Sequence, residues 1–206
     1  HINQRILIAF FLSQLIVTIR GSKMLLKGKI PRRMLLGKGV SWHYIHQIKF
    51  GKFLKLGKNV TLSALGTEGI NIGNNVSIGS DSKVIVSTSL NNIGIGITIE
   101  DNVGIGEFAY LGGAGKLSIG RDCIIGQYFS CHPENHNFND PTKLIREQGV
   151  TRKGITIHPN CWIGSKVTIL DGVQIGANSV IAAGAVVTKS FPENSIIAGV
   201  PAKNIS

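Results

Sequence analysis

From residue 157 onward, an aliphatic side chain returns at every sixth position. Neither an α-helix, with a period of 3.6 residues, nor an alternating strand, with a period of 2, repeats at this interval, so the chain must turn at each six-residue step. Three such steps close a triangular coil, and stacked coils share one apolar interior, as in a parallel β-helix. The register is carried by Ile157, Ile163, Ile169, Ile175, Ile181 and Val187, and upstream by Ile72, Ile78, Val84, Leu90, Ile99, Ile105, Leu111, Leu117, Ile119 and Ile125.

Glycine often follows the aliphatic residue, and the fifth position of each step is small or branched. We expect the glycine to adopt the unusual backbone dihedrals of a corner and the fifth residue to let the bend tuck inward. The glycines are Gly73, Gly79, Gly106, Gly126, Gly164 and Gly176, and the fifth positions are Val76, Ser82, Ala109, Cys161, Val167, Val173 and Ser179. This pattern predicts an all-β fold, with a basic, partly helical extension over residues 1–56 and the solenoid over 57–206.

Composition agrees with a well-buried solenoid. Of 206 residues, 43% are hydrophobic and 16% are charged, which suits one substantial domain with a small appendage. The three cysteines, Cys123, Cys131 and Cys161, cannot all pair with one another, and no CxxC spacing is present. We therefore expect reduced core cysteines in a cytoplasmic protein and no metal site.

The net charge of +11 comes entirely from the extension. Residues 1–58 contain twelve Lys or Arg and no Asp or Glu, whereas residues 59–206 contain ten basic and eleven acidic residues. The apolar run Ile6–Ile19 has fourteen residues, fewer than the roughly 20 that span a bilayer. We expect residues 1–38 to form a helix in peripheral contact with the inner face of a membrane. The alternative is a helix packed on the end of the solenoid or at a subunit contact, and nucleic-acid binding is not expected.

The six-residue register fails between Cys131 and about Gly154. A loop that leaves a regular solenoid gains none of the contacts between coils, so polar residues concentrated in it are more plausibly functional than structural. Two of the six histidines, His132 and His136, lie in this loop with Glu134. An imidazole with a pKa near 6.5 suits proton abstraction from a hydroxyl at neutral pH.

These repeats resemble those of the left-handed β-helix family of hexapeptide-repeat acyltransferases, over about residues 57–205. The resemblance implies direct transfer of an acyl group from coenzyme A, with a loop histidine as general base. The segment Asn135-His136-Asn137-Phe138 is similar to the second half of the family's His-Asn-His-x-Phe motif, with Glu134 in place of the first histidine. It implies His136 as the base and His132, in a His-Pro pair, as the second candidate. Glu134 is a candidate to accept the other ring N–H of the base.

Three later segments resemble the coenzyme A site of the same family. Asn160–Ser165 is similar to its Asn-x-Trp-Ile-Gly-[Ser/Ala] signature, which implies that Trp162 walls the groove and that a backbone N–H near Gly164 or Ser165 binds the oxyanion. Ile181–Lys189 resembles the segment that lines the pantetheine arm, with Ala183, Thr188 and Lys189, and Ile197–Lys203 resembles the terminal Ala-Gly-x-Pro-Ala-[Lys/Arg] motif. Lys189 and Lys203 would meet cofactor phosphates. Trp162 as core packing and the lysines as solvated charges remain the alternatives.

Taken together, these features predict an enzyme, an acetyl-CoA-dependent O-acetyltransferase. The acceptor is predicted to be a saccharide or nucleotide-sugar hydroxyl of surface polysaccharide or its precursor, and the family implies a homotrimer. The family's acceptor asparagine is absent, because its position holds Gly106; Glu107 and Tyr110 lie in the same stretch. Transfer to an amine stays open. Two other classes remain: a γ-carbonic-anhydrase-like metalloenzyme with His132, His136 and His158 as ligands, and a non-catalytic β-helical binding protein.

Overall fold

The computed structural model describes residues 3–206 and shows a helix followed by short strands that wind as a solenoid. The helix α1 spans Gln4–Ser22, and a 3-10 segment, Lys23–Lys27, continues it. In chain order the strands are β1 (Leu35–Leu36), β2 (Ser41–His43), β3 (Ile48–Phe50), β4 (Lys55–Leu56), β5 (Thr61–Ser63), β6 (Gly66–Ile72), β7 (Ser77–Ile78), β8 (Lys83–Ile85), β9 (Gly94–Ile99), β10 (Gly104–Ile105), β11 (Tyr110–Gly112), β12 (Leu117–Ile119), β13 (Ile124–Ile125), β14 (Ser130–His132), β15 (Asn135–His136), β16 (Val150–Thr151), β17 (Ile155–Ile157), β18 (Trp162–Ile163), β19 (Thr168–Leu170), β20 (Gln174–Ile175), β21 (Val180–Ile181), β22 (Val186–Val187), β23 (Ile196–Gly199) and β24 (Ala202–Asn204).

The solenoid strands form three sheets, and successive turns of the chain contribute to them in order, while β15 and β16 form a separate two-stranded sheet. Sheet 1 is β1-β4-β7-β10-β13-β18-β21-β23-β24, sheet 2 is β2-β5-β8-β11-β14-β19-β22, and sheet 3 is β20-β17-β12-β9-β6-β3. Pairing between successive coils is parallel and in register, for example Ile105 with Ile125 and Ile125 with Ile163. The predicted left-handed parallel β-helix is confirmed.

The aliphatic register forms the core. Ile78, Ile105, Ile125 and Ile163 are all buried, and stacking them in register removes a continuous apolar column from water. The fifth positions also point inward, and the three cysteines are buried and unpaired. Leu90 was wrongly included in the register: it lies in a 3-10 turn, Leu90–Asn92, and is 71% exposed. The chain makes an extra excursion between β8 and β9, and this carries Leu90 out of the interior.

The corner glycines are explained by close approach rather than by their own dihedrals, which corrects the prediction. None of the six has a positive φ; the left-handed conformation falls two residues after the glycine, at positions such as Asp81 and Asn178. A Cβ on Gly106 would lie 2.6 Å from the backbone nitrogen of Gln127, and one on Gly126 would lie 2.6 Å from that of Ser165. The next coil thus occupies the space that a side chain would need.

The solenoid begins earlier than predicted. β1 starts at Leu35 and pairs in parallel with β4, so the first coil lies inside the range 1–56 that was assigned to the extension. Met24 and Met34 are buried beneath this coil, where they cover the open end of the apolar interior. The six-residue spacing is present there too, at Leu36, Trp42 and Ile48, but an aromatic residue takes one of the aliphatic positions, so the aliphatic register alone did not reveal this coil.

The close approach between coils predicts that alanine will destabilise the fold at Gly106, in a corner, but not at Gly104, in the preceding strand β10. Gly106→Ala should lower the free energy of unfolding by about 1–3 kcal/mol, because the added methyl overlaps the backbone of the next coil. In Gly104→Ala the nearest atom is Ser77 Oγ at 3.7 Å, so we expect a change within about 0.5 kcal/mol. Thermal unfolding of both variants tests this, and equal melting temperatures would contradict the steric account.

Candidate active site

The inserted loop leaves the solenoid at the edge between sheets 2 and 3 and is itself structured. It departs after β14 and returns at β17, and inside it β15 pairs antiparallel with β16, with His136 opposite Val150. Polar contacts hold its tip: the Asn137 side chain donates to the Gln148 carbonyl at 3.0 Å, and the Gln148 side chain donates to the Asp140 carbonyl at 2.8 Å. The loop is thus a small independent hairpin with defined side-chain positions.

A second excursion faces the loop and completes a cavity. The segment between β8 and β9, residues 86–93, lies on one side of a cavity of about 300 Å³, and the inserted loop lies on the other side. The two histidines and Glu134 all line this cavity, as predicted for one site. Its lining includes Ser87, Tyr110, His132, Glu134, His136 and Arg152.

The two histidines have different surroundings. His132 ends β14 and stacks on Tyr110, with ring centroids 5.5 Å apart and an angle of 18° between the planes. Burial lowers the pKa of the His132 imidazole below its ordinary value of 6.5, because desolvation disfavours the charged form. Both imidazoles are exposed, His132 at the end of β14 and His136 on the hairpin, so both are accessible to a ligand that enters from solvent.

Glu134 pairs with an arginine that the sequence had not singled out. The Arg152 Nε and Nη2 atoms both lie 2.6 Å from Glu134 Oε2. The same guanidinium donates through Nη1 to the Ile93 carbonyl at 2.8 Å and through Nη2 to the Asn92 carbonyl at 3.3 Å. Arg152 therefore ties the inserted loop to the 86–93 segment across the cavity, and the Glu134 carboxylate is engaged by a guanidinium, not by an imidazole.

Asp171 fixes the point where the loop rejoins the solenoid. Its Oδ1 atom accepts from the backbone N–H groups of Lys153 and Gly154, each at 2.8 Å. Its Oδ2 atom is buried with no partner within residues 3–206. A carboxylate that accepts two backbone donors holds the last residues of the loop against the next coil.

The residues predicted for coenzyme A lie elsewhere on the solenoid. Trp162 is on β18 of sheet 1, with 60% of its surface exposed, and Gly164, Ser165 and Ala183 occupy the corners between sheets 1 and 2. Since sheet 1 lies opposite the edge between sheets 2 and 3, one copy of the chain does not bring Trp162 beside the histidines. Lys203 is on β24, at the far end of sheet 1.

Thr188 and Lys189 are nearer to the loop. They follow β22, which lies two strands beyond β14 in sheet 2, a separation of about 10 Å. Lys189 Nζ lies 5.8 Å from the centroid of the Phe191 ring. These two residues share the edge of the solenoid from which the loop departs.

The two backbone donors suggested for an oxyanion are not equivalent. The Gly164 N–H donates to the Ile181 carbonyl at 2.8 Å as part of the ladder. The Ser165 N–H has no acceptor within residues 3–206, and the Ser165 hydroxyl donates to Gln127 Oε1 at 2.8 Å. Ser165 is therefore the better candidate of the pair.

A three-histidine metal site is not formed inside one chain. His158 follows β17 in sheet 3 and does not line the cavity that contains His132 and His136. Within residues 3–206 no three His, Cys, Asp or Glu side chains are placed to hold a metal ion.

Comparisons with known proteins identify the family. Residues 154–189 match the model described as bacterial transferase hexapeptide (six repeats). WbbJ of Escherichia coli K12 carries the name "Putative lipopolysaccharide biosynthesis O-acetyl transferase". It is 31% identical to this chain over 144 residues, which cover 66% of this chain and 70% of WbbJ. The chain belongs to the hexapeptide-repeat acyltransferase family.

Two further proteins are similar to this hexapeptide acyltransferase. A probable acetyltransferase of Mycobacterium tuberculosis, Rv3034c, is 31% identical over 179 residues, which cover 84% of this chain but only half of that protein. The structure of AntD, an N-acyltransferase from Bacillus cereus in complex with dTDP and 3-hydroxybutyryl-CoA, matches 85% of this chain and 80% of AntD with a TM-score of 0.57 at 18% identity. The second likeness shows the shared fold.

The tie made by Arg152 gives a testable consequence for the loop. Arg152→Ala should raise the rate of tryptic cleavage after Lys143 and Arg146 about tenfold, because Glu134 and the Ile93 carbonyl lose a charged partner and the hairpin opens more often. Lys116→Ala serves as the control, because it breaks an ion pair with Glu68 that is exposed to solvent. The side chains of Lys116 and Glu68 are 46% and 47% exposed, whereas those of Arg152 and Glu134 are 18% and 27% exposed. Equal cleavage rates in the two variants would show that Arg152 does not hold the loop.

Proposed function

We propose that this hexapeptide acyltransferase transfers an acetyl group from acetyl-CoA to a saccharide hydroxyl, with His136 as general base. The observation that carries the proposal is the cavity in which two loop histidines meet the excursion of residues 86–93. The imidazole would take the hydroxyl proton while the oxygen attacks the thioester carbonyl. The tetrahedral intermediate then collapses with cleavage of the C–S bond, and the imidazolium returns the proton to the sulfur, so that coenzyme A leaves as the thiol. No covalent enzyme intermediate is needed.

The placement of the two histidines supports different roles. His136 is exposed on a hairpin and free to meet an incoming hydroxyl. His132 is held flat against Tyr110 at the end of β14, which suits it to shape the cavity and to contact the acceptor. Glu134 holds Arg152, so in this proposal its role is to keep the loop closed.

The donor is proposed from the family and from the exposed sheet-1 residues. A bound acetyl-CoA would run along Trp162 and the corner at Ser165, whose N–H is available to the developing oxyanion. Ala183 and Thr188 would line the pantetheine arm, and Lys189 and Lys203 would pair with phosphates. Because Trp162 and His136 lie on different sides of one solenoid, the reacting groups meet when the loop of one copy lies against sheet 1 of a neighbour. A closed trimer satisfies this requirement at three equivalent sites.

The acceptor class is proposed from relatives and from the cavity. WbbJ is named for lipopolysaccharide biosynthesis, and AntD was solved with dTDP, so both saccharides and nucleotide sugars are candidates. Tyr110 and the hydroxyl groups of residues 87–89 line the cavity beside the histidines, and such groups bind sugar rings by stacking and hydrogen bonding. A hydroxyl is proposed over an amine because the closer relative by identity, WbbJ, is named as an O-acetyl transferase.

The experiment follows thiol release from acetyl-CoA over a panel of saccharides, nucleotide sugars and amino sugars. His136→Ala should retain acetyl-CoA binding and lose about 10²- to 10⁴-fold in kcat. The matched variant His132→Asn should raise KM for the acceptor more than it lowers kcat. It should also leave the acid limb of the pH profile in place, because in this proposal His132 is not the group that takes the proton.

Three outcomes would overturn parts of the proposal. Full activity of His136→Ala removes His136 as the base. Loss of the acid limb in His132→Asn assigns the proton transfer to His132. A wild-type protein that binds saccharide but shows no turnover with acetyl-CoA would be a non-catalytic binding protein.

A further inference from the structure

The helix α1 exposes large apolar side chains on every side. Successive residues of a helix are 100° apart around its axis, so the exposed apolar side chains of α1 surround the axis rather than forming one stripe. A helix that packs on a protein buries one face, whereas a helix that is apolar all round belongs in a membrane or a large core. Gly21 is the one residue of α1 that is buried. The exposed apolar residues are Ile6, Leu7, Ile8, Phe10, Phe11, Leu12, Leu15, Ile16 and Ile19.

Within residues 3–206, the buried part of the helix is its C-terminal end, which packs on β1 of the solenoid. Gly21 lies so close to the backbone of Met34 that a side chain there would overlap the Met34 carbonyl oxygen. Met24 and Met34 are buried beneath the first coil. These contacts fix the base of the helix to the end of the solenoid and leave the apolar length free of protein contacts.

The length of α1 matches a bilayer better than the apolar run alone suggested. Its 19 residues extend about 28 Å, close to the roughly 30 Å of a hydrocarbon core. The whole segment Gln4–Lys27 is long and apolar enough to cross a membrane by length and composition. Arg5 and Arg20 lie near opposite ends of α1, so both guanidinium groups can reach the lipid headgroups while their stems stay in the apolar layer.

The end of the solenoid beside the helix is uniformly basic. No Asp or Glu occurs before Glu68, so the charged side chains of the first coil, next to the helix, are all positive. Such a surface is complementary to anionic lipid headgroups, and a cluster of Lys and Arg flanking a span places that side in the cytoplasm. The basic residues after α1 are Lys23, Lys27, Lys29, Arg32, Arg33, Lys38, Lys49, Lys52, Lys55 and Lys58.

We propose that α1 spans an anionic lipid bilayer and holds the basic end of the solenoid against its cytoplasmic surface. This replaces the peripheral contact expected from the sequence with an integral one. The inference rests on the helix and its flanking charge, and it holds whether or not the proposed acetyl transfer is correct. The catalytic cavity lies on later coils and does not include the helix.

The first test asks whether the full chain is an integral membrane protein. Membranes from cells that express it are washed with alkaline carbonate, which releases peripheral proteins. Wild type should stay in the membrane pellet, whereas Leu12→Lys/Leu15→Lys, with two charges in the middle of the span, should be released to at least tenfold higher supernatant levels. The matched control Leu90→Lys/Ile205→Lys places the same charges at exposed solenoid positions and should behave as wild type.

Release of wild type by carbonate would overturn the proposal, since it would show a helix that lies on the surface. Wild type found in the soluble fraction, with an oligomer that falls apart in Leu12→Lys/Leu15→Lys, would assign the helix to contacts between copies. Thermal unfolding of Leu12→Lys/Leu15→Lys distinguishes these two outcomes from misfolding of the variant. Its melting temperature should match that of the control variant.

The second test determines the side of the membrane. Leu90→Cys places a thiol at an exposed position of the solenoid, whereas the three native thiols are buried. A membrane-impermeant maleimide should label this thiol in inverted vesicles and not in intact spheroplasts. Labelling in intact spheroplasts would contradict the cytoplasmic assignment. Lys23→Gln/Lys27→Gln/Lys29→Gln in the same background should yield a mixed orientation, because the flanking positive charge is reduced.

Discussion

The close stacking of one coil on the next is the constraint on which the rest of this molecule depends. Parallel strands about 4.8 Å apart leave no room for a side chain at the inner corner, and at Gly106 and Gly126 the backbone of the following coil fills that place. The aliphatic residue before each glycine then points into a column of like residues. Packing and hydrogen bonding therefore reinforce each other at every step, and any departure from the six-residue register must leave the stack.

The candidate site lies where the stack is interrupted. The loop after β14 and the shorter excursion after β8 leave the solenoid at the same edge, and Arg152 joins them through Glu134 and two backbone carbonyls. Asp171 secures the return of the chain. The regular coils thus supply a rigid base, while a few charged contacts position the histidines above it.

The periodic part of the structure was predictable from sequence because the aliphatic residues of the register are the residues that are buried. The glycine pattern marked the corners correctly, although its cause is the close approach of the next coil. The first coil was missed although Leu36, Trp42 and Ile48 keep the six-residue spacing, because an aromatic residue takes one of the aliphatic positions. Leu90 was misassigned because one excursion happened to preserve that spacing. Arg152 left no periodic signal: its partners, Asn92 and Ile93, are distant along the chain. Only the fold shows that Tyr110 meets His132 and that Trp162 lies on another side of the solenoid.

That separation makes a shared site the central claim of this account, and complementation between copies tests it most directly. His136→Ala and Trp162→Ala are each expected to be strongly impaired when expressed alone. Co-expressed in equal amounts, random trimers should recover about one quarter of wild-type thiol release, because one interface in four then combines an intact loop with an intact Trp162. Activity that stays at the level of the separate variants would contradict a site divided between neighbouring copies.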